Sequence, residues 1–324
     1  MFVQVGVYER ARSRMINALV LGGNGFIGSH LVDRLLAEGY YNVRVFDRYE
    51  EHYRLPLAGV DYCYADFGNR GLLADSLQGI DIVFHLISTT FPKTSNDDPI
   101  FDVSSNVIET LFLLEQCVIQ KIKKIVFISS GGTVYGNPKT LPVPEEASAD
   151  PICSYGISKL TIEKYIELYR HLYGLNYVIV RPSNAYGDRQ KLPSVQGAIP
   201  VFLGNIAKGE IIEIWGDGEV VRDYIFIDDL IDGIFKAAVL NTRSRIFNIG
   251  SGAGYSLNYI IQIIQKTTGI NLNVEYKEKR SFDLQEIYLD ITRSKNELSW
   301  YPITPLEIGI HRTWDFIRQR VNRK

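Results

Sequence analysis

With 324 residues, 46% of them hydrophobic and 22% charged, the chain has the composition of a folded globular protein and enough length for a large two-lobed core. A net charge of −2, with its basic residues scattered, argues against nucleic acid or an anionic membrane as a partner. The three cysteines, Cys63, Cys117 and Cys153, lack metal-like spacing and no apolar run is long enough to span a bilayer, so a metal-free cytoplasmic protein is expected.

Residues 1–15 hold Glu9, Arg10, Arg12 and Arg14 but no apolar stretch, and read as a loose N-terminal extension. From there, short runs rich in Val, Ile and Phe at 18–21, 43–46, 61–65, 81–86, 124–128 and 177–180 alternate with helix-like segments. The runs near 82–86 and 125–128 are almost continuously apolar, as strands become when helices cover both faces of a parallel sheet. The expected fold is therefore α/β, a doubly wound parallel (Rossmann) sheet over 16–188, followed by a smaller C-terminal substrate-binding α/β lobe over 189–324. A strand pattern at 224–227 leading into a helix at 228–240 suggests that 224–245 returns to the first domain.

The first strand runs into Gly22-Gly-Asn-Gly-Phe-Ile-Gly28 and then a helix expected at 29–38. Glycines at this spacing let backbone amides approach a pyrophosphate, whose charge the positive end of the helix stabilises. Gly22, Gly25, Phe26, Ile27 and Gly28 are thus candidate dinucleotide contacts. Asp47 ends the second strand at the distance where a carboxylate accepts the hydroxyls of the adenosine ribose, which favours NAD over NADP. Arg48 beside it could instead attract a 2′-phosphate. Asp66 after the third strand is a candidate for the adenine edge or a loop-capping aspartate, and Leu86, closing the fourth strand, is a further cofactor candidate.

Tyr-x-x-x-Lys occurs at Tyr135/Lys139 and at Tyr155/Lys159. Gly136 and Pro138 interrupt the first pair, so it cannot share a helix face. The second opens an uninterrupted helical pattern over 154–173, with Ser154 a possible N-cap and Ile162, Ile166 and Tyr169 continuing a packed stripe. Tyr155 and Lys159 can therefore act together, unless Tyr155 is simply a core residue and Lys159 a snorkelling surface one. A phenol with an ordinary pKa near ~10 is ionised to only about one part in a thousand at pH 7, a deficit of roughly 4 kcal/mol. A neighbouring ammonium favours the phenolate and would let Tyr155 take a proton from a hydroxyl whose carbon loses hydride to a nicotinamide.

Taken together, Gly22-Gly-Asn-Gly-Phe-Ile-Gly28, Ser129-Ser-Gly-Gly-Thr-Val-Tyr-Gly136, Tyr155-Gly-Ile-Ser-Lys159 and Gly216-Asp-Gly-Glu-Val-Val-Arg-Asp-Tyr224 resemble the NAD-dependent epimerase/dehydratase family of extended short-chain dehydrogenases, and within it the UDP-sugar 4-epimerases. The resemblance implies a homodimeric enzyme that oxidises C4 of a UDP-hexose or UDP-N-acetylhexosamine, lets the keto-sugar rotate, and returns hydride to its other face. It implies that Asn184, Arg222 and Arg280 hold the nucleotide diphosphate and that Asp283 lies near the uridine ribose. Guanidinium groups suit a diphosphate because they grip it bidentately. One departure is Gly131, where the family usually has a Ser or Thr whose hydroxyl bridges the sugar and the catalytic tyrosine. Thr133 is the expected replacement, although the adjacent Ser130, a candidate substrate contact, could supply the hydroxyl instead. The same loop lacks the Asp-Glu pair with which dehydratases eliminate water and the Ser-Glu pattern of decarboxylases, which favours epimerisation over the alternative, a dehydratase or reductase on the same fold. A non-catalytic NAD-binding regulator is a third reading, although it would be expected to lose Tyr155 or Lys159. Ile287, where the family varies a residue that limits N-acetylated sugars, is intermediate in bulk.

Overall fold

The structure, a computed structural model, describes residues 15–190, 197–278 and 284–321. Contacts divide the chain into two units, the first made of the described residues up to Thr90 with 97–128 and 161–178, the second of 91–96, 129–160 and the described residues after Val178.

In the first unit, strands β1 (Ile16–Leu21), β2 (Tyr41–Asp47), β3 (Val60–Tyr64), β4 (Ile82–His85) and β5 (Lys124–Ile128) pair in parallel in the order β5-β4-β1-β2-β3. Every residue of β4 is buried and four of the five in β5 are, because helices flank a parallel sheet on both faces. β3 is an edge strand and keeps Tyr64 exposed. Helices α1 (Phe26–Ala37) and α2 (Arg70–Ser76) form the crossovers. α1 begins earlier than the periodicity suggests, since Gly25 serves as its N-cap and Phe26 and Ile27 already belong to its first turn.

After α3 (Pro92–Asp97), which falls almost wholly in the second unit, α4 (Pro99–Asp102) leads into a π-helical stretch, Val103–Ile108, and then α5 (Glu109–Ile119). The widened turn has a local cause. Ser104, Ser105, Asn106 and Thr110 each donate a side-chain hydrogen bond to the carbonyl four residues back, on Ile100, Phe101, Asp102 and Asn106, and such back-bonding competes with the regular helical ladder.

The long helix α6 spans Ser154–Tyr173, the interval expected from its pattern, with Ile162 and Ile166 buried. Strand β6 (Tyr177–Pro182), buried throughout, starts in the first unit and ends in the second, where β11 (Ile246–Ile249) pairs with it and completes a seven-stranded sheet. The second unit also contains β7 (Asn184–Tyr186), β8 (Ile212–Trp215), β9 (Val221–Arg222), β10 (Tyr224–Phe226), β12 (Tyr255–Ser256), β13 (Val274–Lys277) and β14 (Glu286–Ile287). Its helices are α7 (Ala198–Lys208), α8 (Ile227–Val239), α9 (Leu257–Thr268), α10 (Thr292–Leu298) and α11 (Leu306–Val321). The strand expected at 224–227 is β10, and it pairs with β7 in a separate two-stranded sheet. Among the described residues no helix is long and apolar enough to cross a membrane.

Candidate active site

In the first unit, β1 delivers the chain into the glycine turn. Gly22 has φ +84°, a left-handed conformation that glycine adopts without penalty. A Cβ on Gly28 would lie 2.0 Å from the Gly22 carbonyl oxygen and 2.7 Å from the Gly23 Cα, so the first turn of α1 rests directly on the backbone of the loop. The N-cap, Gly25, has no side chain to cap the first amides of α1, which suits the amides to an external anion.

Asp47 is tied to this turn: its carboxylate accepts the Asn24 amide at 3.0 Å and the Tyr49 amide at 3.1 Å. Burial pushes its pKa above the usual carboxylate value against the pull of those two amides. Asn24, itself buried, also donates through Nδ2 to the Tyr49 carbonyl at 2.7 Å. The turn and the ribose-binding candidate are therefore one hydrogen-bonded piece, suited to a dinucleotide. Asp66 is exposed, accepts the Gly68 amide at 2.9 Å, and forms an ion pair with Arg48 at 3.6 Å. The loop-capping role is thus realised, and Arg48 is partnered by a carboxylate. Leu86 follows β4, with its amide donating to the Leu21 carbonyl at 3.0 Å.

In the second unit, Lys159 Nζ lies 5.7 Å from the centroid of the Tyr155 ring. Lys159 is only 5% exposed, which is incompatible with a snorkelling surface lysine. Thr133 presses on the same helical turn: a Cβ on Gly156 would lie 2.9 Å from the Thr133 carbonyl oxygen. Its Oγ1 is buried without a hydrogen-bond partner among the described residues. A buried hydroxyl left in that state costs free energy unless something else engages it.

The interrupted pair behaves differently. Tyr135 donates to Asn248 Oδ1 at 2.7 Å and accepts from Arg181 at 3.0 Å, while Lys139 is exposed. Burial pushes the Tyr135 phenol up to about 12, which keeps it protonated and out of acid-base chemistry at neutral pH.

Further along, Arg222 stands in the central strand of the β12-β9-β14 sheet, in register with Tyr255 on one side and Ile287 on the other. Its guanidinium donates to the Val221 carbonyl at 2.8 Å. Asn184 opens β7, and its Nδ2 donates to the Asp223 carbonyl at 2.9 Å. Arg280 and Asp283 lie outside the described residues.

The profile of the NAD dependent epimerase/dehydratase family matches residues 18–250. The chain belongs to that family. It is 34% identical over 315 residues to a UDP-glucose 4-epimerase of Mycolicibacterium smegmatis, covering 94% of this chain and 99% of that protein. It is 31% identical over 314 residues to a dTDP-4-dehydro-6-deoxyglucose reductase of Escherichia coli, with coverage of 94% and 99%. A UDP-glucose 4-epimerase of Thermotoga maritima, solved with UDP-glucose, matches with a TM-score of 0.89 and 34% identity over 94% of this chain and all of that one.

Within the epimerase/dehydratase family, the departure at Gly131 has a steric explanation here. A Cβ at Gly131 would lie 2.6 Å from Leu289 Cδ1 and 3.1 Å from the Arg181 carbonyl oxygen. Leu289, 1% exposed, occupies the space a serine would need. Gly131→Ser should therefore destabilise the protein by about 1–3 kcal/mol, while Leu289→Ala should cost about 2–5 kcal/mol by opening a cavity. Combined, the two should cost clearly less than their sum, a non-additivity that urea denaturation of the four proteins would measure. Strict additivity would remove Leu289 from the explanation.

Two organising residues escaped the motif reading. Asp223, fully buried, accepts from the Ser251 amide and hydroxyl at 2.7 Å each and from the Leu289 amide at 3.2 Å, and so binds together the segments that carry Arg222, Asn184 and Leu289. Burial raises its pKa. Its signal was its place inside the Arg222-Asp223-Tyr224 run. Asn24, in the variable position of the glycine motif, had none.

Proposed function

We propose that the chain is an NAD-dependent nucleotide-sugar 4-epimerase acting on a UDP-hexose or a UDP-N-acetylhexosamine. The observation that carries the reading is the buried Lys159 ammonium beside the Tyr155 ring, with the Thr133 backbone packed on the same helical turn and the Thr133 hydroxyl buried without a hydrogen-bond partner among the described residues. Gly22, Gly25, Phe26, Ile27, Gly28 and Asp47 would hold NAD, with Leu86 at its edge, and Asp66 fixes its own loop. NAD supplies the hydride acceptor and donor when bound. Tyr155 Oη withdraws the proton from the sugar C4 hydroxyl and later returns it, Lys159 stabilises the phenolate, and Thr133 Oγ1 bridges the sugar hydroxyl to Tyr155, with Ser130 alongside. Arg222 and Asn184 grip the diphosphate, so the hexose can turn while its nucleotide stays fixed. Cytoplasmic placement agrees with the sequence, and the exposed Ile119, Leu168 and Leu172 on α5 and α6 suit a second copy of the chain in a homodimer.

A second reading, net reduction of a keto-sugar, is favoured by the likeness to the E. coli reductase. Incubation with UDP-glucose, UDP-galactose, UDP-N-acetylglucosamine and UDP-glucuronate, without added NADH, separates them. The expected NMR spectrum shows the 4-epimer approaching equilibrium with catalytic NAD. No epimer from these four sugars, together with stoichiometric NADH consumption on a nucleotide 4-keto-sugar, would instead establish the reductase.

A further inference from the structure

The amides in the first turn of a helix have no intrahelical acceptor, and a side chain immediately upstream usually serves them. α6 is capped from elsewhere. The Tyr155 amide donates to Ser95 Oγ at 3.0 Å and the Ser154 amide to Asn96 Oδ1 at 2.9 Å, across sequence separations of 60 and 58 residues. We propose that Ser95 and Asn96 are positioning residues for Tyr155, fixing the start of its helix and hence the reach of its phenol; this rests on the proton-transfer role proposed for Tyr155.

Ser95 is fully buried and folded tightly into α3, its Oγ donating to the Pro92 carbonyl at 3.1 Å and its amide to the Phe91 carbonyl at 2.9 Å. Thr94 Oγ1 accepts the Phe91 amide at 3.0 Å, which closes the turn from the other side. The strap is therefore rigid in itself. Immediately before it in the chain, Thr89 and Thr90 are clamped: Asn106 accepts the Thr89 amide at 3.0 Å and donates to Thr89 Oγ1 at 2.8 Å, while Thr90 donates to the buried Asp102 carboxylate. Thr89 and Thr90 end the loop that leaves β4 after Leu86. The clamp is thus the back-bonded Asn106 of the π-helical stretch, in the same unit as Thr89 and Thr90.

Amide capping alone would make Ser95 and Asn96 stabilising residues; positioning requires that their loss be felt by the phenol. Asn96 is exposed, so Asn96→Ala should fold, and Asn96→Asp retains the accepting oxygen. Steady-state epimerisation and backbone hydrogen exchange are measured on full-length protein with NAD for wild type, Ser95→Ala, Asn96→Ala, Asn96→Asp and Tyr155→Phe, alone and combined. Asn96→Ala and Ser95→Ala should each lower kcat roughly ten-fold with KM nearly unchanged, because a small displacement of a reacting group weighs on the chemical step. Asn96→Asp should restore it, and in Tyr155→Phe neither alanine should lower the rate further. Exchange at the Ser154 and Tyr155 amides should speed up in the alanine variants regardless of turnover. Unchanged exchange, or an equal loss of rate with and without the Tyr155 hydroxyl, overturns the positioning role. A Tyr155→Phe protein as fast as wild type instead overturns the reading of Tyr155 itself.

Discussion

Tyr155→Phe is expected to retain NAD while losing epimerisation by about 10²–10⁴-fold, the range typical for removing a positioned acid-base group. The substitution deletes one oxygen and leaves the ring beside Lys159, so the packing of α6 is conserved. Tyr135→Phe is the matched control. It removes a phenol held by Asn248 and Arg181 in a buried network, which should cost about 1–3 kcal/mol of stability and little rate. Kinetics and thermal denaturation on both variants give opposite patterns if the roles are as assigned. A rate loss for Tyr135→Phe as large as that for Tyr155→Phe would overturn the assignment.

Gly28→Ala should abolish NAD binding at ordinary concentrations and lower the melting temperature by several degrees. Helix propensity argues the other way, since alanine in place of an interior helical glycine gains about 1 kcal/mol. Sterics decide the sign. The new methyl would sit 2.0 Å from a backbone oxygen and 2.7 Å from a backbone Cα, neither of which can rotate aside, so α1 must lift from the turn. Gly25→Ala is the informative comparison, because its Cβ meets only the Gly22 oxygen, at 3.2 Å, and the residue is exposed. Calorimetric titration with NAD should show the first variant silent and the second weakened modestly. Equal affinities would remove the close approach as the reason for glycine at position 28.

The sheet and its glycine turn were legible because their determinants are local. β4 and β5 are apolar throughout, and α6 is bounded by its own pattern. Tyr135 and Tyr155 were separable by the glycine and proline between Tyr135 and Lys139. What sequence did not reveal depends on contacts between distant segments. The caps of α6 come from Ser95 and Asn96, the filling of Gly131 comes from Leu289, and the staple of the segments that carry Arg222 and Asn184 is Asp223. The π-helical stretch carried a readable sign, the Ser104-Ser105-Asn106 run with Thr110, though only a known helix register makes its back-bonding apparent.

The leucine seated over Gly131 has a consequence for ancestry and for protein engineering. Installing the relatives' usual hydroxyl residue first meets a wall, and removing the wall first leaves a void, so both single-step routes pass through an impaired intermediate. Such a couple tends to be inherited together. A chain that keeps glycine at 131 beneath a leucine is then held to that choice, and grafting residues from a better-known cousin will succeed only when both positions travel as one.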